Sequence, residues 1–182
     1  GPEVDIGELC QIHASKGKRI IHSEVVGFRD NKVLLMPLGE MTGVGPGNTI
    51  VASDTVFKVG VGDRLIGRVL DGLGYPLDGK EPFKPSQYYP INCKPPHPLR
   101  RKRITEPLVL GIKAIDGLLT VGRGQRIGIF AGSGVGKSTL MGMIARNTKA
   151  DINVIALIGE RGREVREFLE KDLQEEGLSR SV

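Results

Sequence analysis

Hydrophobic positions in the first part of the chain fall in short runs separated by turn residues. The runs are rich in Val, Ile and Leu and predict strands at 8–13, 20–28, 32–37, 48–52, 55–59 and 64–70. Gly, Asp, Asn and Lys separate the runs, as at Lys16-Gly17 and at 29–31. Short strands about ten residues apart are typical of a small barrel or sandwich. The turn-forming segment 71–79 closes this region.

A proline-rich stretch follows the predicted strands. Six prolines lie between Pro82 and Pro98. Proline restricts its own φ and the conformation of the preceding residue, so the stretch is expected to be extended chain without helix or sheet. We interpret 82–103 as a linker between a first domain, 1–81, and a second domain, 104–182.

Continuous apolar runs mark the second domain. The runs 126–130 and 153–158 do not alternate with polar residues, so they predict strands covered on both faces, as in a parallel α/β sheet. Apolar residues at helical spacing predict a helix over 139–148, and 111–121 reads as a short helix-like piece. The chain is therefore expected to have an α/β domain preceded by a small β domain.

A second helix is predicted from Glu164 to Glu176. Its apolar side chains lie on one face, and Glu167 and Lys171 form an i,i+4 pair on the other. Gly177 follows at a position where helices often end.

The segment Ala131–Ser138 lies between a predicted strand and a predicted helix and has the form of a phosphate-binding loop. Its glycines let backbone N–H groups curl around an anion, and Lys137 adds a charge for the β- and γ-phosphates of a nucleoside triphosphate. The hydroxyl of Ser138 is the predicted Mg²⁺ ligand. The predicted nucleotide-binding residues are Ser133, Gly134, Val135, Gly136, Lys137, Ser138 and Thr139.

One residue departs from the usual pattern of this loop. The pattern has Gly where this chain has Ala131, and Ala fits there unless a positive φ is required. The competing interpretation is a Gly-rich turn with no ligand. The Gly-Lys-Ser ending and the flanking strand and helix argue against it.

Glu160 and Arg161 directly follow the second predicted strand of the α/β domain. Ligands bind at the carboxyl edge of open α/β sheets, so Glu160 is placed to orient and deprotonate an attacking water near the γ-phosphate. Arg161 would hold Glu160 or the departing phosphate. From position alone, an equally good interpretation is that Glu160 only provides negative charge at the start of the next helix.

Composition narrows the classes of function. The net charge is +5, and the densest basic cluster is Arg100–Arg103, which we interpret as a solvated linker face. Few aromatic residues lie near it, so a base-stacking platform is not supported.

Cys10, Cys93 and three scattered histidines show no metal-ligand spacing, and a reducing, cytosolic setting is expected. No apolar run is long enough to cross a bilayer, and Gly1-Pro2 is interpreted as the remnant of a cleaved tag, with no signal peptide after it.

Several motifs together resemble the flagellar and type III secretion export ATPases, relatives of the rotary ATP synthase catalytic subunits. Ala-Gly-Ser-Gly in the loop is similar to the export branch, and Glu160 resembles the catalytic glutamate, where non-catalytic synthase subunits have Gln. The resemblance covers nearly the whole chain and is carried by 67–79, 111–116, 119–125, 131–138 and 158–164.

The resemblance implies a RecA-like P-loop domain, preceded by a β-barrel that lacks its first strands. It also implies ATP and Mg²⁺ as ligands, ATP hydrolysis that energises protein export, and a homohexamer with active sites between subunits. The implied partners are a stator-like regulator, export chaperones and a membrane export-gate protein, with no specific nucleic acid. The implied location is cytoplasmic, peripheral at the inner-membrane export apparatus.

The same resemblance places further catalytic parts beyond Val182, including an Mg²⁺-orienting aspartate and an arginine finger. The piece is therefore expected to be truncated at its C-terminal end and to hydrolyse ATP very slowly by itself. Two other readings stay open: a nucleic-acid-translocating hexameric ATPase similar to transcription terminators, and a non-catalytic module for binding or oligomerisation.

Overall fold

The computed structural model of the protein describes residues 3–14, 19–132 and 134–182. Contacts divide the chain into two compact units, one formed by 1–61 and 85–95, the other by 62–84 and 96–182. The domain boundaries proposed after residues 81 and 103 stay a prediction. The predicted turn at Lys16-Gly17, the interpreted tag remnant Gly1-Pro2 and Ser133 lie outside the described residues. Over the described ranges, no helix is both long and apolar enough to span a bilayer.

The first unit is built on a four-stranded antiparallel sheet. Its strands are β1 (Glu8–Ala14), β2 (Arg19–Arg29), β3 (Lys32–Pro37) and β4 (Thr49–Val56), in the order β3-β2-β1-β4. Alternation of apolar and polar residues along β1 and β2 buries one face, which is where the core of this unit lies. The buried apolar residues of these two strands are Cys10, Ile12, Ala14, Ile21 and Val25.

A second, two-stranded sheet completes the first unit. It consists of β5 (Lys58–Val61) and β6 (Gln87–Pro90), which pair antiparallel. Within the described residues the two sheets are separate, and neither closes into a barrel. The predicted strands 48–52 and 55–59 are divided differently in the structure, because β4 continues through Val56 and β5 begins at Lys58.

The expectation that the proline-rich stretch contains no sheet was wrong. β6 lies within it, because the residues between Pro85 and Pro90 keep their N–H groups and pair with β5. Pro90 sits at the end of the strand, where a missing N–H is tolerated.

The predicted strand 64–70 was also wrong. This segment begins with a 3-10 turn at Asp63–Leu65 and belongs to the second unit. The guanidinium of Arg68 binds the carboxylate of Asp78, with Nε to Oδ2 at 2.6 Å and Nη2 to Oδ1 at 3.0 Å. The two side chains are about nine-tenths buried and hold 68–78 as a loop.

Among the described residues, the regular elements of the second unit are helices, joined by long irregular segments. Its helices are α1 (Lys113–Leu118), α2 (Lys137–Asn147), α3 (Gly162–Glu167) and α4 (Gln174–Leu178), with a π-helical segment at Phe168–Leu173 between the last two. The predicted helix 139–148 is confirmed as α2, and α1 confirms the helix-like piece in part. The core joins Ala145 of α2 to Phe168 and Leu173.

The predicted helix Glu164–Glu176 is helical in the structure but is not a single α-helix. A π-helical segment widens it, and Gln174 has φ +58°. Gly177 does not end the helix as predicted; it lies buried within α4. A Cβ on Gly177 would lie 2.7 Å from Leu173 Cδ1, so the glycine serves packing. The predicted Glu167–Lys171 pair is present at 3.2 Å.

The apolar runs 126–130 and 153–158 do not form the predicted strands. A strand requires a hydrogen-bonded neighbour. In the described residues of these runs, such pairing is limited to 153–155, where the N–H groups of Asn153 and Ile155 donate to the carbonyls of Arg180 and Val182 around an isolated parallel bridge between Asn153 and Ser181. Side chains expected to be covered are open: Phe130 is 96% exposed and Ile158 is 88% exposed.

Candidate functional site

The predicted phosphate-binding loop turns directly into α2. Gly134 has φ +77° and Gly136 has φ +93°, left-handed values that favour glycine. Gly136 is the N-cap of α2, and its carbonyl accepts the backbone N–H of Leu140 at 2.9 Å. Ala131 does not have a positive φ. Alanine is therefore compatible with the backbone at the position where the usual pattern has glycine.

The space around the loop is open. A Cβ built on Gly132, Gly134 or Gly136 would meet no atom within 4 Å. The first N–H groups of α2 have no partner within the helix and carry its positive dipole end. The loop thus leaves room for a bound anion beside free backbone donors.

Lys137 and Glu160 line one cavity of about 280 Å³. The two residues lie on different elements: Lys137 is the first residue of α2, and Glu160 follows the second apolar run. They do not lie on opposite sides of the unit. The cavity is lined by Lys137, Ser138, Met141, Ala156, Leu157, Ile158, Glu160, Glu164, Val165 and Phe168.

Glu160 does not cap the helix that follows it. The N-cap of α3 is Arg161, and the carboxylate of Glu164 accepts the Arg161 backbone N–H at 3.4 Å. Glu164 therefore supplies the negative charge in the first turn of α3, and Glu160 faces the cavity. Arg161 is not among the residues that line the cavity.

Glu164 is a cavity residue that the sequence did not single out. It is the first residue of the predicted amphipathic helix and follows Glu160 by four positions, and this proximity was the available signal. Two of the predicted nucleotide-binding residues, Val135 and Thr139, do not line the cavity. Val135 is exposed on the loop.

The donor set at the cavity fits Mg²⁺ accompanied by a nucleotide. Ser138 supplies a hydroxyl oxygen, and Glu160 and Glu164 supply carboxylates. In the described part of the chain, no three His, Cys, Asp or Glu side chains form a metal cluster. Mg²⁺ does not need one, because it keeps several waters and is held by one or two protein oxygens together with substrate phosphates.

Comparison with known proteins matches two parts of the chain to one family. Residues 1–54 match the beta-barrel domain of the ATP synthase alpha/beta family, and residues 111–182 match the nucleotide-binding domain of that family. The predicted fold, a small β domain followed by part of an α/β P-loop domain, is confirmed at this level.

The curated relatives include flagellum-specific ATP synthases and type 3 secretion system ATPases. The chain is 55% identical over 186 aligned residues to the flagellum-specific ATP synthase of Bacillus subtilis, covering 100% of this chain and 42% of the relative. It is 49% identical to the type 3 secretion system ATPase of Xanthomonas euvesicatoria, covering 100% of this chain and 41% of the relative. The chain thus spans about two-fifths of the length of these relatives.

A solved structure is similar over the whole chain. The assembled ATPase EscN in complex with its central stalk EscO, from the enteropathogenic E. coli type III secretion system, matches with a TM-score of 0.85 and 44% sequence identity. The match covers 100% of this chain and 44% of the EscN chain. Since both matched regions belong to one family and the relatives agree with them, the chain belongs to the ATP synthase alpha/beta family.

Proposed function

We propose that this chain binds the phosphates of Mg-ATP at residues 131–138 and forms part of the catalytic site of an export ATPase. The observation that carries the proposal is the shared cavity of Lys137 and Glu160, which lies at the start of α2 beside an open glycine loop. Family membership and the names of the relatives support ATP as the nucleotide.

Each residue has a defined task in this proposal. The N–H groups of 134–139 cradle the phosphates, Lys137 neutralises the β- and γ-phosphates, and Ser138 supplies an oxygen to the metal ion. Bound Mg²⁺ would supply charge neutralisation at the phosphates. Glu160 orients the attacking water and accepts its proton. A role for Arg161 in holding Glu160 or the leaving phosphate stays a prediction.

The whole protein is proposed to use ATP hydrolysis to energise protein export. The relatives are named for flagellar and type III secretion systems, and the EscN structures are assembled, one of them with a stalk protein. On that basis we propose a homohexamer in the cytoplasm, peripheral at the inner-membrane export apparatus. Its proposed partners are a regulator of the stator type, export chaperones and the export gate.

By itself the chain is proposed to bind nucleotide but to hydrolyse it very slowly. The arginine finger of related chemistries contributes about 10³–10⁵ in rate, and the resemblance places this residue in the part of the relatives that the chain does not span. A steady-state turnover near 1 s⁻¹ for the isolated chain would contradict this.

Nucleotide binding can be measured on the chain itself with a fluorescent ATP analogue and Mg²⁺. Lys137→Ala is expected to abolish saturable binding, because it removes the cation at the phosphates. Lys149→Ala is the matched control: it removes the same charge just beyond the other end of α2, and it should bind as the wild type does. Equal binding by both variants would contradict the proposal.

The role of Glu160 needs a hydrolysing enzyme. A chimera in which this chain replaces the matching part of the Bacillus subtilis relative provides one, since the two are 55% identical. Glu160→Gln is expected to keep nucleotide binding and lose hydrolysis by at least about 10²-fold. Glu175→Gln, an exposed carboxylate outside the cavity, is the control. Retained hydrolysis in Glu160→Gln would remove Glu160 from the mechanism.

The same chimera distinguishes the proposed function from the two alternative hypotheses. An RNA-translocating ATPase would retain single-stranded RNA on a filter, and the exposed basic cluster 100–103 is the feature that would favour it. If the chain is a non-catalytic binding module, introducing Lys137→Ala would not reduce the rate of ATP hydrolysis. We expect no RNA retention and loss of hydrolysis.

A further inference from the structure

The C-terminal end of α2 is held by a short segment that precedes α1. The carbonyl of Val109 accepts two hydrogen bonds from this end, from the backbone N–H of Lys149 at 3.0 Å and from the hydroxyl of Thr148 at 3.1 Å. Thr148 and Leu110 are both buried. The direction and position of the helix end are therefore tied to residues 109–111, which we call the clamp segment.

The clamp segment also touches the helix through its backbone. Gly111 has φ +77°, and a Cβ there would lie 2.7 Å from the carbonyl oxygen of Asn147 and 2.9 Å from its carbonyl carbon. Asn147 is the last residue of α2. Contact this close leaves no freedom for α2 to slide toward the clamp segment.

Asp116 holds the clamp segment in place. Its Oδ1 accepts the backbone N–H of Leu110 at 2.9 Å, and its Oδ2 accepts the backbone N–H of Gly111 at 2.8 Å. Asp116 lies in α1, so one carboxylate joins α1 to the segment that contacts α2.

We propose that Asp116 is a positioning residue that fixes where Lys137 and Ser138 stand in the candidate cavity. The eleven residues of α2 form a rod of about 16 Å. A displacement of the helix at Asn147 therefore moves the other end, at Lys137, by nearly the same distance. This inference rests on the proposed function for its catalytic meaning, but the geometry it describes can be tested without nucleotide.

The first test substitutes the carboxylate. Asp116→Ala removes both hydrogen bonds, and Asp116→Asn is a milder version for use if the alanine variant does not fold. Asp71→Ala is the matched control, because Asp71 Oδ1 also accepts two backbone N–H groups, from Leu73 at 2.9 Å and Tyr75 at 2.8 Å, in a loop of the same unit.

Two readouts are taken at a temperature where all variants are folded. The amide chemical shifts of 137–140 are recorded without nucleotide, and the dissociation constant for the fluorescent ATP analogue is measured with Mg²⁺. The Asp116 variants are expected to change the chemical shifts of these amides. They are also expected to weaken binding of the ATP analogue about 2- to 30-fold, the range for residues that influence a site without touching the ligand. Asp71→Ala is expected to do neither, even with a similar loss of melting temperature.

A second pair tests the close contact independently. Gly111→Ala and Gly79→Ala both place a side chain at a left-handed position, but a Cβ on Gly79 meets nothing within 4 Å. Only Gly111→Ala is expected to shift the amides of 137–140.

Unchanged loop amides in both the Asp116 and Gly111 variants would overturn the proposal. So would amide shifts as large in the Asp71 and Gly79 controls. If the wild-type chain binds no nucleotide, the proposed function falls, while the amide shifts still decide whether Asp116 positions α2.

Discussion

Gly142 offers a direct test of how tightly the helix that carries Lys137 is packed. It is buried in the middle of α2 and faces the backbone of Asp172 in the π-helical segment. A Cβ on Gly142 would lie 2.6 Å from the carbonyl carbon of Asp172 and 2.7 Å from its Cβ, and would also meet the carbonyl oxygen. These are mainly backbone atoms, which cannot rotate away as the end of a flexible side chain can.

The expected effect of Gly142→Ala is the difference between two opposing contributions. Overpacking costs about 1–3 kcal/mol, and the backbone contacts favour the upper end of that range. Alanine in place of glycine inside a helix stabilises by about 1 kcal/mol. The net loss is then about 2 kcal/mol, which lowers the melting temperature of a chain of this size by about 4–8 °C.

Gly117→Ala is the matched control for Gly142→Ala. Gly117 also lies within a helix, α1, but a Cβ there meets nothing within 4 Å. It is expected to raise stability by about 0.5–1 kcal/mol. Urea unfolding followed by circular dichroism measures both variants. A Gly142→Ala variant as stable as Gly117→Ala would refute the close approach of α2 to Asp172.

Two further predictions concern ionisable groups. The hydrogen bond from Arg68 lowers the pKa of the Asp78 carboxyl well below its usual range. The ionised carboxylate therefore stabilises the folded state fully above about pH 4, and this stabilisation is lost as the pH falls below that value. The urea midpoint is expected to fall more between pH 5 and pH 3 in the wild type than in Asp78→Asn, and equal falls would contradict this. Cys10 is fully buried and burial raises the pKa of its thiol, whereas Cys93 is exposed. With Ellman's reagent we expect Cys93 to react fast and Cys10 to react only in denaturant. The variant Cys93→Ser is expected to lack the fast phase.

Local sequence patterns predicted the elements whose contacts are local. Helix α2 and strands β1, β2 and β3 were found close to their observed bounds, because helix hydrogen bonds and short antiparallel pairs form between nearby residues. The phosphate-binding loop was recognisable for the same reason. Its glycines, Lys137 and Ser138 are consecutive, and the chemistry follows from that order.

Elements that depend on distant partners were not predictable from the pattern. The runs 126–130 and 153–158 have the composition of buried strands, but a strand also requires a paired neighbour. Among the described residues, the neighbours of these runs are limited to 180–182, which pair with 153–155. The segment 64–70 was taken for a strand because its composition does not reveal the Arg68–Asp78 ion pair. The strand β6 was missed because proline content outweighed the short stretch of residues able to pair.

The candidate site shows the same limit. The sequence placed Glu160 after a predicted strand that the structure does not form. It also could not decide whether the Glu160 side chain faces a cavity or supplies charge at the start of the next helix, since both fit the position. Glu164 takes the position beside the Arg161 N–H, and that geometry depends on the exact start of α3. The sequence also gave no hint that Gly111 and Asp116 hold the far end of α2.

The shared cavity of Lys137 and Glu160 is tested most directly by a crystal structure of this chain with Mg²⁺ and a non-hydrolysable ATP analogue. We expect the β- and γ-phosphates at the N-terminus of α2, in contact with Lys137, and the Glu160 carboxylate facing the γ-phosphate. Phosphates bound elsewhere on the chain, or a Glu160 side chain turned away from them, would contradict the proposed site.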